Sequence, residues 1–179
     1  MINLREMLTE DRSNLTARKG CLMAMLTDED CAKIVNFGTK LIKEEDLYLE
    51  GDEYGREKEG HVTIRYGFTR DLNELEIRQL LQGVKPFVVE LTGLDRFTNP
   101  PQYDVAVFKV SSPVLNQLNE MTNIYPNESD FPDYNPHLTI AYTKKNAYPN
   151  LRKECKLPVV IRTVCYSPIS GGKSYFGLE

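Results

Sequence analysis

Tryptophan is absent from this chain, histidine occurs only twice, and four cysteines are scattered through 179 residues with no C-x-x-C spacing. Each scarcity removes a class of function. Without clustered cysteines, an H-x-H pair or an H-E-x-x-H helix, zinc has no motif to occupy, so neither a metal nor another cofactor is expected. Cys21, Cys155 and Cys165 stand in or beside apolar runs, where reduced thiols behave as small hydrophobes, and a disulfide framework is not expected. No apolar stretch approaches the roughly 20 residues of a membrane helix, and the opening MINLREMLTEDRSNLT is too charged for a secretory signal. A cytoplasmic protein with no membrane partner is the simplest expectation. Positive charge is also in deficit: 22 basic against 26 acidic residues leave a net charge of −4. Nonspecific binding to a long nucleic acid requires a basic stripe, so that partner is disfavoured. A small nucleotide or other phosphorylated ligand needs only a few local cations and hydroxyls.

The two histidines stand in one repeated phrase, His61-Val62-Thr63-Ile64 and His137-Leu138-Thr139-Ile140, the second starting 76 residues (137 − 61) after the first. Each opens an apolar, β-rich run, HVTIRYGF and HLTIAYT. Period-two alternation puts His61, Thr63 and Arg65 on one face and Val62, Ile64 and Tyr66 on the other. The second copy sets His137, Thr139 and Ala141 against Leu138, Ile140 and Tyr142. With the aliphatic side buried, each histidine and its threonine project together into a groove.

The surroundings repeat as well. Residues 20–26 read as a buried strand, with Thr27 as N-cap of a helix over 28–45. A dense acidic segment, 44–59, carries Gly51 and Gly55 and reads as a loop, either plain surface or a rim over the groove. After the His61 strand, Asp71 and Glu74 have capping-box spacing for a helix ending near Gly83, and Pro86 opens a strand over 86–92. The second half restarts with a strand over 103–110. Ser112-Pro113 then caps a third helix, and a polar loop over 123–136 leads to the His137 strand. A strand over 158–166 and a Gly171-Gly172 turn complete it. The expected fold is therefore α+β: one domain, 1–179, of two duplicated lobes, about 20–98 and about 103–179, with antiparallel-rich sheets facing a central groove.

Histidine alone has an unperturbed pKa near neutrality, so two facing imidazoles can divide proton transfer, one taking and the other giving. A threonine two residues later on the same face can hold a non-bridging phosphate oxygen. Together these are the requirements for breaking a phosphodiester, with water or a ribose 2′-OH as nucleophile. The competing readings are a zinc site, and two ordinary strand histidines. Around the phosphate, Tyr48, Tyr54 and Tyr134 lie in or beside loops approaching the histidine strands and are candidates to stack on a base. Arg65 and Lys173 are candidate phosphate contacts. Tyr66 and Tyr142 read as core, and Met7, Met23, Met25 and Met121 as packing residues.

The arrangement resembles the 2H phosphoesterase superfamily, defined by two H-x-[ST]-x motifs on strands of a duplicated α/β fold; Pro136 and Ala141, flanking the second motif, also fit. The resemblance implies that His61 and His137 are the catalytic pair, that Thr63 and Thr139 hold the phosphate, and that the reaction is metal-independent. The style of the first motif is similar to that of a compact phage anti-CBASS branch. That likeness implies cleavage of 3′-5′ bonds in cyclic di- and trinucleotides, countering host antiviral signalling in the host cytoplasm. The alternatives are an RNA 2′,3′-cyclic phosphodiesterase or RNA 3′-end processing enzyme and, in a different class, a non-catalytic nucleotide-binding module.

Overall fold

The run over residues 20–26 is apolar at nearly every position because the strand it forms, β1 (Gly20–Leu26), is flanked on both edges and buried throughout. The structure, a computed structural model, describes residues 19–51, 54–128 and 133–179; Met7 lies outside them. Helix α1 (Asp28–Leu41) starts at Thr27, whose side chain accepts from the Asp30 amide, with three acidic residues in its first turn. Helix α2 (Glu74–Leu80) uses Asn73 and Glu76 as its capping box rather than Asp71 and Glu74. Both frames satisfy the spacing, and Asp71 is occupied elsewhere, accepting from the amides of Ile169 at 2.6 Å and Ser170 at 3.3 Å. Helix α3 (Pro113–Met121) begins at Ser112 with proline in its first turn, as its sequence indicates.

The remaining strands are β2 (His61–Phe68), β3 (Phe87–Phe97), β4 (Tyr103–Ser111), β5 (His137–Lys144), β6 (Lys153–Ser167) and β7 (Ser174–Gly177). They form one antiparallel sheet in the order β1-β2-β5-β4-β3-β6-β7, and β6 also pairs with β1, closing the first six strands on themselves. The duplication is visible as β1-α1-β2 and β4-α3-β5. The division near residues 98–103 is not respected by the hydrogen bonds, however, because each half gives its third strand to the other. Strand β3 pairs with β4, and the C-terminal part of β6 pairs with β1. Exchanging these strands covers edges that each half would otherwise expose. Strand β6 begins five residues before Pro158, which sits where β6 has only β3 beside it and a missing amide donor is tolerated.

The three α-helices of the described residues pack on one side of the sheet, where Ile34, Ile77, Leu80, Leu115 and Leu118 join strand residues such as Leu22, Val62 and Leu138 in the main core. The opposite face carries two smaller clusters. One contains Cys21, Met23, Met25, Tyr66 and Cys165; the other contains Tyr103, Val105, Val107 and Tyr142, with Tyr48, Tyr54 and Phe97 against it.

Both motif strands have a bulge just after the threonine. Leu22 pairs with Arg65 and Met23 with Thr63, leaving Ile64 extra; Ala106 pairs with Ala141 and Val107 with Thr139, leaving Ile140 extra. One extra residue reverses the alternation beyond it. Arg65 and Ala141 therefore turn toward the helices, and Tyr66 and Tyr142 toward the histidine face, the reverse of strict alternation. The bulge carbonyls are satisfied by the Asn119 side-chain amide, 2.7 Å from Ile64 O, and the Glu57 backbone amide, 2.9 Å from Ile140 O.

Strands β2 and β5 pair at a single position, Val62 with Leu138. Beyond it the loops finish their edges. The Tyr142 amide donates to Gly55 O (2.8 Å) and the Tyr48 amide to Tyr142 O (3.0 Å), so the acidic segment, residues 52 and 53 aside, is an edge cover docked on β5. On β2 the Glu128 amide donates to Gly67 O at 2.8 Å. Gly67 has φ +112°, and a Cβ there would lie 2.0 Å from Glu128 O. Gly67→Ala should therefore lower unfolding stability by about 2 kcal/mol or more. The check is a urea titration, in which the midpoint falls while the slope is unchanged.

Candidate active site

Each histidine is oriented by the chain immediately before it. The Nδ1 of His61 lies 2.8 Å from Glu59 O, and that of His137 lies 2.9 Å from Asn135 O. A carbonyl only accepts, so Nδ1 carries the hydrogen in both rings and Nε2 is left as the atom that gains or loses a proton. The antiparallel pairing of Val62 with Leu138 sets His61 level with Thr139 and Thr63 level with His137. Val62 and Leu138 are fully buried in the core, so the four flanking side chains share the opposite face. Cross-strand neighbours have Cβ atoms about 4.5–5.5 Å apart and diagonal ones about 7–8 Å. The two imidazoles thus occupy one diagonal and the two threonines the other.

The two rings sit in different surroundings. His137 is pushed below its ordinary value by burial first and by the charge of His61 second, with the Asn135 carbonyl opposing. The edge of its burial is Phe97, whose ring meets the imidazole at 4.8 Å between centroids, nearly perpendicular. Beside His61 stands the carboxylate of Glu59, which contacts Lys173 Nζ and accepts from the Tyr175 hydroxyl at 3.0 Å. Burial alone would raise the Glu59 carboxyl, but the hydrogen bond and charge of Lys173 outweigh it, and the group is held below its usual range. Cys21 and Cys165 lie near this rim. Burial pushes both thiols up, Cys165 to about 11, so neither supplies a thiolate at neutral pH.

Of the residues singled out from sequence, His61, Thr63, His137 and Thr139 come together, and Lys173 reaches the same rim through Glu59. Arg65 does not share that face: the bulge sends its guanidinium to Thr122 Oγ1 (2.8 Å), Asn119 O (2.9 Å) and Asn123 Oδ1 (2.6 Å), where it ties β2 to the end of α3. The Tyr134 hydroxyl donates to Thr63 O at 2.8 Å, bracing β2. Tyr48 and Tyr54 pack edge to face with each other and against Tyr103, within the aromatic cluster of lobe two. Glu59, Phe97 and Lys109, the cross-strand partner of His137, also border the site. The proximity of Phe97 and Lys109 depends on long-range register and left no local sequence signal, whereas Glu59 stands only two residues before His61. Among the described residues, no group of three or more His, Cys, Asp or Glu is placed to hold a metal ion, and no helix is long and apolar enough to cross a membrane.

Since the neutral ring is favoured by folding, the contribution of His137 to stability is complete above pH 6.5 and is lost as pH falls through its lowered folded-state value. An NMR titration should therefore place His137 below 6.5. Phe97→Ala should move it up toward that value; an unmoved titration would assign the burial to other groups.

The chain matches the family model described as "2′-5′ RNA ligase superfamily" over residues 42–160. No curated protein sequence is significantly similar to it. Among solved structures, TT0787 of Thermus thermophilus superposes with a TM-score of 0.58 at 17% identity, over 90% of this chain and 95% of that one. LigT of E. coli, solved with 3′-AMP, gives 0.55 at 16% identity over 90% and 95% of the two chains. Usb1 of Kluyveromyces marxianus, solved with uridine monophosphate, gives 0.57 at 15% identity over 92% and 100%. These likenesses are of fold. With two thirds of the sequence matched by the family model and the paired H-x-T strands in place, the chain belongs to the 2′-5′ RNA ligase superfamily and is a phosphodiesterase of the 2H phosphoesterase type.

Proposed function

We propose that this enzyme opens 2′,3′-cyclic phosphates at RNA or nucleotide ends by metal-independent acid-base catalysis. The observation that carries this reading is the pair of imidazoles fixed through Nδ1 by upstream carbonyls, with Nε2 free to exchange protons on one face. The family match to RNA ligase-type proteins supports nucleotide ends as substrate, and two fold relatives were solved with ribonucleotides.

The roles follow from the surroundings of the two rings. His137, kept neutral by burial, takes a proton from the attacking water. Water's oxygen bonds to phosphorus, the bond from phosphorus to one ribose oxygen breaks, and His61 passes a proton from Nε2 to the departing oxygen. Thr63 and Thr139 donate to the non-bridging oxygens, where negative charge accumulates. The product is a ribose monophosphate with one free hydroxyl. Cleavage of cyclic di- or trinucleotides would use the same groups on a 3′-5′ bond, and this narrower reading has less support than RNA ends.

A substrate panel separates them. An oligonucleotide with a 2′,3′-cyclic phosphate should be preferred over cyclic di- and trinucleotides by 100-fold or more, ~3 kcal/mol of transition-state discrimination. Activity should persist in EDTA. His61→Ala and His137→Ala should each lose about 10²–10⁴-fold in kcat while retaining binding. The acidic limb of the wild-type pH profile should lie below pH 6.5, the ordinary histidine value. Strict metal dependence would overturn the mechanism, preference for a cyclic dinucleotide would overturn the substrate, and binding without any turnover would make the protein a nucleotide-binding module.

A further inference from the structure

On the face that carries the histidines, one cationic side chain stands beside the reacting pair and has no part in the chemistry above. Lys109 on β4 is the direct cross-strand partner of His137. Partners in an antiparallel pair point to the same face, so Lys109 rises from the groove floor one strand outward from the imidazole. Its side chain is 58% exposed, and its ammonium lies 3.7 Å from Asp95 Oδ2, longer than a hydrogen bond. Asp95 is itself shared with Arg152, at 3.6 Å. Across from Lys109 on its other edge is Gly93 of β3, so no side chain of β3 stands opposite it.

The duplicated fold supplies an internal comparison. The residue that pairs with His61 on β1, as Lys109 pairs with His137 on β4, is Met25, buried in an apolar cluster. The same structural position is apolar on one side of the groove and cationic on the other. The cation on the His61 side of the groove, Lys173, is already engaged by Glu59. Among the described residues bordering the two histidines, the more loosely engaged cation therefore lies outward past His137.

With strands about 4.8 Å apart, β4 lies about 7 Å from the midline between β2 and β5, where the scissile phosphate is held. That step is comparable with the separation of successive phosphates along an extended nucleotide chain. We infer that Lys109 binds the phosphodiester next to the scissile phosphate, making the preferred substrate an RNA end of at least two nucleotides rather than a mononucleotide. The inference rests on the reading of the site as one for nucleotide ends, and it adds the direction in which the chain leaves the groove.

The test is calorimetric binding, which needs no turnover, of a ribose-phosphorylated mononucleotide and of a dinucleotide ending in the same phosphate. Lys109→Ala should weaken the dinucleotide about tenfold and reduce the slope of log affinity against log salt by about one. The mononucleotide should change by less than about twofold, and Lys109→Arg should restore most of the loss, since it keeps the charge. Equal loss for both ligands would place Lys109 on the scissile phosphate or make it a general field effect; no loss for either would remove it from the site. Either result overturns the inference while leaving the reaction intact. A wild-type protein that binds neither ligand would overturn the nucleotide-end reading itself, and this inference with it.

Discussion

Strands β2 and β5 belong to different halves of the duplication and are joined by one backbone pairing, Val62 with Leu138, so the register of that pairing sets the relative position of every group in the site. Slipping it by one residue would turn one histidine and its threonine into the core. Both residues of the pair are fully buried among the helices' apolar side chains, which makes such a slip expensive. The restriction to a single pairing is also physically necessary. Past it, each strand carries a bulge and takes a loop as its edge partner, leaving the two histidines and two threonines at the point where the two halves meet.

The bulges at Ile64 and Ile140 perform the same task in both halves. They let a strand start with a histidine and a threonine facing the groove and continue with a tyrosine on that face, Tyr66 or Tyr142, five positions after the histidine. Those tyrosines anchor the small clusters that floor the groove. The two halves then diverge around the two histidines. His137 is pressed by Phe97 and burial disfavours its charged form, whereas His61 stands beside the Glu59 carboxylate, itself engaged by Lys173. A symmetric scaffold thereby sets its two imidazoles in unlike surroundings.

Much of this was legible in the sequence, for reasons that can be named. The period-two pattern places His61 with Thr63 and His137 with Thr139 correctly, because the alternation holds up to the threonine. It misplaces Arg65, Tyr66, Ala141 and Tyr142, because a bulge inserts a residue without leaving a glycine or proline as a mark. The two overlapping capping frames at Asp71 and Asn73 are equally good locally, and the choice between them is made by a turn almost a hundred residues later that engages Asp71. The crossing of β3 and β6 between lobes is likewise a matter of which edges remain unpaired, a property of the assembled sheet rather than of any segment. Lys109 reads as an ordinary strand lysine until the register sets it opposite His137.

The central claim is that two backbone carbonyls, those of Glu59 and Asn135, fix both imidazoles in one orientation with Nε2 as the proton-exchanging atom. The most direct measurement is ¹⁵N NMR of the imidazole nitrogens at a pH where both rings are neutral. Both histidines should show protonated Nδ1 and unprotonated Nε2. A neutral ring with the hydrogen on Nε2 would contradict the account, because its Nδ1 would then carry no hydrogen to donate to the upstream carbonyl.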